Sequence, residues 1–166
     1  GDARAKQVWK KPMADMVDRY SASASAIFAG AIQDYKRGII IGQKTFDKGT
    51  VQKLDNLSSG QIKITESKFY RITGAGMQSK GIHPDITLPS TWDIEEIGES
   101  SYDTALPWDE IKPVRFKKFF MGPTLISKLN DEHLTRVDQS PNLQYILDIR
   151  KRYEIQKNKE VISLNL

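Results

Sequence analysis

Cysteine is absent from the 166 residues, which removes disulfides, thiolate nucleophiles and cysteine metal sites while leaving the compartment open. Histidine is nearly absent, with only His83 and His133. No His/Asp/Glu spacing resembles a metal-ligand set, and a single histidine such as His83 is more often structural than catalytic. No apolar run approaches the roughly 18 to 20 residues of a membrane span, and these residues show no signal-peptide pattern. There is no initiator methionine, and the polar stretch 1–7 makes a poor domain start, so a processed protein or an excised fragment is expected. Internal repeats and low-complexity tracts are also missing.

What is there is ordinary for a globular chain: 39% hydrophobic and 28% charged residues, enough for one domain with a core and a helical extension. The net charge of +4 comes from lysines and arginines interleaved with acids, which reads as a solvated surface. With no recognition motif, nucleic acid is not an expected partner.

The most informative stretch is Tyr20-Ser21-Ala22-Ser23-Ala24-Ser25. It sits between an expected strand over 12–17 and an apolar run, 26–32, whose Ile27/Ala31 and Phe28/Ile32 spacing predicts a helix buried on most sides. Asp15 is a misfit on the strand face shared with Met13 and Val17, since a lone buried carboxylate is costly. Lys36, Arg37 and Gly38 mark the expected helix end. Ile39-Ile40-Ile41 then reads as a strand covered on both faces, giving a βαβ unit with Ser23 at the carboxyl end of its first strand. A serine there is either an exposed nucleophile or an ordinary helix N-cap, and the local sequence leaves both open.

Further along, 61–65 and 68–73 alternate as two strands, and 81–86 reads as an extended segment fixed by Pro84. The segment 91–113 is acidic and aromatic, a surface connection packing back through Trp92 and Trp108. After Gly122-Pro123 the pattern predicts two helices separated near Ser140-Pro141, with 161–166 as a candidate last strand. Lys48 beside Gly49 does not make a phosphate loop, because the glycine-rich lead and the Gly-Lys-Ser/Thr order are missing.

Without a suitable histidine, a serine nucleophile requires another base, and a neutral, desolvated lysine is the alternative. Residues 17–25, 27–35 and 42–52 resemble the C-terminal processing (tail-specific) serine peptidases, and 81–86, 105–109 and 163–165 look like their long periplasmic bacterial branch. The resemblance runs over about 12–165 and implies an α/β fold: a partial catalytic core, with a βαβ unit plus further strands, over 1–113, and a helical C-terminal extension over 114–166.

By resemblance, the middle serine, Ser23, is the nucleophile and Lys48, 25 residues on in Phe46-Asp47-Lys48-Gly49, is the general base. Gln52 orients the amine. In a straight strand Lys48 and Gln52 would lie roughly 13 Å apart between α-carbons, so contact needs a bend at Gly49. The Ala24 amide, at the positive end of the helix, is one oxyanion donor; nothing matches the family's second, glycine donor. The implied function is a serine endopeptidase that cuts proteins near unstructured apolar C-terminal tails through an acyl-enzyme and without a cofactor. The implied partners are such substrates, a PDZ domain and the N-terminal part of a parent enzyme. The implied location is the periplasm, with association to the inner membrane as one arrangement, and the isolated fragment is expected to be poorly active or inert.

Three positions depart from the family pattern: Ala26 stands where glutamate is common, Asp47 replaces a glycine, and Asp15 replaces an apolar residue. Asp47 facing Lys48 would hold the amine charged. The rival reading is a non-catalytic binding or scaffold domain of the same fold.

Overall fold

The computed structural model describes residues 9–93, 96–119, 122 and 124–161. Among them the order is β1 (Ala14–Val17), α1 (Ala24–Asp34), β2 (Ile39–Gly42), β3 (Thr50–Asn56), β4 (Gln61–Lys68), β5 (Ile86–Thr87), a 3₁₀ turn (Glu99–Ser101), α2 (Leu125–Gln139) and α3 (Pro141–Lys157). The fold is α/β. β1, β2 and β5 form a parallel sheet in that order, with Ala14 opposite Ile39 and Ile41 opposite Ile86. The expected βαβ unit is therefore present, and the residues after Val17 and Gly42 emerge together at the carboxyl ends of adjacent strands.

The core is small: Val17, Ala26, Ala29, Ile40, Met77 and Ile82 form one buried cluster. Fully burying Ile40 and Ile82 stabilises the fold by about 1.5–3 kcal/mol each. Helix α1 meets the sheet through Ala26, Ala29 and Gly30, and a β-carbon on Gly30 would stand 3.0 Å from Ile82 Cδ1. This small-residue face sets the helix phase and corrects the expectation of burial on most sides. Ile27 and Phe28 turn outward, 45% and 53% exposed, because a sheet of three short strands covers only one face of the helix.

The helix also ends differently. Lys36, not Gly38, takes the left-handed turn at φ 54°, and Arg37 bonds the carbonyls of Lys11 and Trp9. Gly38 is needed for close approach, since a β-carbon there would lie 2.7 Å from Met13 O. Asp15 is half-buried, and burial pushes its carboxyl up.

The strand expected over 61–65 forms as β4, but its antiparallel partner is β3, which precedes it. The second strand expected over 68–73 does not form: Lys68 ends β4, and beyond it the chain leaves the hairpin, the Phe69 amide bonding Gly49 O and the Arg71 and Gly74 amides closing a tight turn. Gly81, at φ 59°, turns the chain before β5. The two C-terminal helices part at Ser140-Pro141 as expected, where the Ser140 hydroxyl accepts the Leu143 amide and caps α3. His133 of α2 bonds Thr87 O of β5 at 3.1 Å, and Trp108 donates to Gly76 O at 2.9 Å. The candidate strand over 161–166 lies, beyond Val161, outside the described residues.

Gly42 closes β2 at φ 129°, and a β-carbon would fall 1.9 Å from Val17 O, inside the β1–β2 contact. Gly42→Ala is expected to destabilise the fold by about 3 kcal/mol or more, read as a lowered midpoint in urea unfolding. An unchanged midpoint would show that the strand junction is not under this constraint.

Candidate functional site

Two loops make the site, one after β1 and one after β2. The first is organised by Asp18, whose Oδ1 accepts the Tyr20 amide and the Ser21 hydroxyl, both at 3.0 Å, while the Asp18 amide donates to Ser21 Oγ. This Asx turn carries the chain to Ser23 at φ 52°, ψ −116°, a region that residues other than glycine rarely adopt. Strain of this kind at a strand-to-helix turn is how a nucleophile elbow holds a side chain outward.

Ser23 stands at the N-cap position of α1, yet its hydroxyl makes no capping bond; only its carbonyl serves the helix, accepting the Ile27 amide at 3.0 Å. The Ser21 hydroxyl is bound to Asp18 and the Ser25 hydroxyl donates to Ala22 O at 2.8 Å. Among the described residues, Ser23 alone of the three serines keeps an uncommitted, exposed hydroxyl. Ala24 opens the helix beside it, at the positive end of the helix dipole.

The second loop, 43–49, is held by nearly every residue. The Gln43 amide donates to Val17 O, the Thr45 amide to Ile82 O, and the Phe46 amide to Ser21 O at 3.0 Å. Thr45 Oγ1 accepts the Ile82 amide, and Asp47 O accepts the Ser79 amide. The Gly49 amide donates to the buried Gln78 Oε1 at 2.8 Å, and a β-carbon on Gly49 would meet Gln78 N at 2.3 Å. This loop presents Lys48, half-buried, whose Nζ donates to Gln52 Oε1 at 2.9 Å. The contact foreseen only with a bend is thus formed. Residues 48 and 49 precede β3, and the β3–β4 register shifts between Val51 and Gln52, so 48–52 is not a straight strand.

Asp47 does not pair with Lys48 among the described residues. Its carboxylate, 1% exposed, accepts Lys44 Nζ at 2.8 Å, Arg19 Nη2 at 3.3 Å, and both the amide and the hydroxyl of Ser100 at 3.2 and 2.8 Å. Burial alone would raise its pKa, but the bonds from Lys44 and Ser100 outweigh burial and hold the carboxyl below its usual range. Its φ of 61° is the left-handed region where glycine sits most easily and aspartate is tolerated. Arg19, also 1% exposed, reaches Thr45 O as well.

The structure therefore joins Lys48 to Gln52 and ties the two loops at Ser21–Phe46 and Arg19–Asp47. No hydrogen bond links Ser23 to Lys48. His83 is exposed overall, and partial desolvation of its ring, with the charges of Lys44 and Arg19, holds its pKa down; no ring hydrogen bond joins it to either loop. The sequence alone marks none of Arg19, Gln78 and Ser100 as part of the site. Nothing local marks them, because each acts on a residue distant in the chain. Among the described residues no group of three or more His, Cys, Asp or Glu side chains gathers to hold a metal. A cavity of about 740 Å³, lined by Met13, Arg37, Phe119 and Leu125 among others, opens at the amino ends of β1 and β2, away from both loops.

Residues 1–88 match the family described as peptidase family S41, and residues 92–166 match the C-terminal domain of tail specific protease. A tail-specific protease of Haemophilus influenzae is 39% identical over 99% of this chain, and a carboxy-terminal-processing protease of Bartonella bacilliformis is 41% identical over 48%. The chain spans 25% of the first protein's length and 18% of the second's. A solved structure, of a photosystem II D1 C-terminal processing protease, is 38% identical over 46% of this chain and 20% of its own, with a TM-score of 0.43.

The lowered Asp47 pKa fixes a pH dependence. A carboxylate whose folded pKa lies below its unfolded value, about 4, contributes its full stability above that value and loses it as pH falls through the folded one. The melting-temperature gap between the wild type and Asp47→Asn is expected to be widest near neutral pH and to close as the pH drops below about 4. A gap that is constant from pH 7 to pH 3 would mean that the charge of Asp47 plays no part.

Proposed function

The chain belongs to peptidase family S41, and from that premise we propose that it carries the nucleophile and base of a serine endopeptidase, Ser23 and Lys48. The observation that carries this reading is the Ser23 hydroxyl: exposed on a strained backbone at the head of α1 and, among the described residues, alone of the three serines in having no hydrogen-bond partner.

In the proposed mechanism Ser23 Oγ attacks the scissile carbonyl carbon while its proton passes to the neutral Nζ of Lys48. The carbonyl oxygen becomes an oxyanion within reach of the Ala24 amide. Collapse breaks the C–N bond, the leaving amine takes the proton from Lys48, and an ester to Ser23 remains. Water, deprotonated by Lys48, attacks that ester, and the proton returns to Ser23 as the acid departs. Gln52 Oε1 accepts one N–H of Lys48 and so fixes where the lone pair points. No step uses a cofactor.

The substrates we propose are proteins with unstructured apolar C-terminal tails, cut in the periplasm, with association to the inner membrane as one arrangement. The rest of a full-length protein would supply a PDZ domain to capture the tail and the second oxyanion donor. The lack of a hydrogen bond between Ser23 and Lys48 favours the second reading, a non-catalytic binding or scaffold domain. Catalytic hydrogen bonds that tighten only with substrate bound reconcile the same geometry with the first.

The test is cleavage of a substrate with an apolar C-terminus by the full-length protein. Ser23→Ala and Lys48→Ala are each expected to lower kcat by about 1,000-fold or more, and Gln52→Ala by about tenfold. Undiminished cleavage in either of the first two variants would reject the dyad; no cleavage by the wild-type protein under any substrate would favour the scaffold.

A further inference from the structure

The pair Arg19–Asp47 lies beneath the site, and its position in the chain is pointed. Arg19 stands four residues before Ser23 and Asp47 immediately before Lys48. Each is 1% exposed, so neither offers a surface to a substrate. Between them they join the main chain of both loops: Arg19 donates to Thr45 O and to Asp47 Oδ2, and the neighbouring Phe46 amide donates to Ser21 O.

A third segment completes the network. Ser100 gives its amide and hydroxyl to the two Asp47 oxygens, and the Glu99 amide donates to Phe46 O. Gly98 packs so tightly here that a β-carbon would fall 2.2 Å from Arg19 Nη2 and 2.9 Å from Asp47 Oδ1. Asp47 is thus the counter-ion of two cations, Arg19 and Lys44, and the acceptor for a segment about fifty residues away.

We propose that Asp47 is a positioning residue for Ser23 and Lys48: paired with Arg19 and closed over by Ser100, it fixes the lysine loop against the serine loop. This rests on the dyad reading above. Removing the carboxylate takes from Arg19 and Lys44 the acceptor they share and from Ser100 the acceptor of its amide and hydroxyl, and the loop that presents Lys48 relaxes. A displacement of about 1 Å in a reacting group costs up to ~100-fold in rate. Arg19 and Asp47 are buried and offer no surface to a substrate, so substrate affinity is expected to be unaffected by their loss.

The experiment is steady-state cleavage by the full-length protein carrying Asp47→Asn, Arg19→Gln, Arg19→Lys, the double variant Arg19→Gln/Asp47→Asn, and Ser100→Ala, with Ser23→Ala alongside. Folded fractions are measured at the assay temperature. For Asp47→Asn and Arg19→Gln we expect kcat to fall about 10- to 100-fold with KM within about twofold, beyond any loss of folded protein. Arg19→Lys should recover part of that loss, and the double variant should be no worse than the poorer single. Ser100 is exposed, so Ser100→Ala keeps the test open if Asp47→Asn does not fold; its expected loss is about threefold to tenfold in kcat.

If Ser23→Ala abolishes cleavage while Asp47→Asn and Ser100→Ala keep the wild-type kcat, the positioning role is refuted and the dyad stands. A fall in kcat that only mirrors the folded fraction refutes it equally. If Ser23→Ala cleaves normally, the dyad and the positioning role fall together.

Discussion

The two loops of the candidate site are held together by a buried ion pair, Arg19 with Asp47. Taking both charges out of water is expensive, and in general such a pair adds little net stability over well-packed apolar residues. What it supplies is registration. Two loops that end parallel strands have freedom to slide and twist, and backbone bonds such as Phe46–Ser21 restrain them at single points. A carboxylate gripped by Arg19, Lys44 and Ser100 restrains one loop in several directions at once, and does so one residue from the candidate base. Removing one partner of a buried ion pair is costly, so the network resists piecemeal loss.

The registration would be useless without the close backbone contacts beneath it. Gly42 at the end of β2 presses on Val17 O at the end of β1, and Gly49 presses on Gln78. Ala26, Ala29 and Gly30 bring α1 against Ile40 and Ile82. These contacts are made by residues with little or no side chain, so the distance between the loops is set by backbone against backbone. The positive φ values at Ser23 and Asp47, the two loops' own strained points, are then held by surroundings that leave the chain no alternative.

Much of this was legible in the sequence. The βαβ unit followed from a strand, an apolar run and an isoleucine triplet, and the two C-terminal helices from their spacing and Ser140-Pro141. Ser23, Lys48 and Gln52 were singled out by their motif, and the structure brings the last two into contact. What was not legible has physical causes. β3 is a largely exposed strand with mixed side chains, so no hydrophobic pattern announces it. The outward turn of Ile27 and Phe28 follows from how little sheet there is to cover, a quantity no local pattern contains. Arg19 went unmarked, because a buried arginine is recognised only through partners that lie 26 and 28 residues further on.

The segment over 93–101 shows how far the site extends along the chain. Its far end reaches Asp47 through Ser100, whereas its near end is gripped by α3: Asp93 pairs with Arg150 at 3.3 Å and Lys157 at 2.7 Å, and Glu96 with Lys157 at 2.8 Å. Both acids lie in the stretch that the sequence marks only as an acidic connection. One stretch therefore binds the C-terminal helices with its acids and the lysine loop with its Ser100 donors. The second family match, beginning at residue 92, takes in Ser100, while Asp47 falls within the first. The lysine loop is thus finished by chain from the second match, and α3, through Arg150 and Lys157, is connected to the stretch whose Ser100 closes over Asp47.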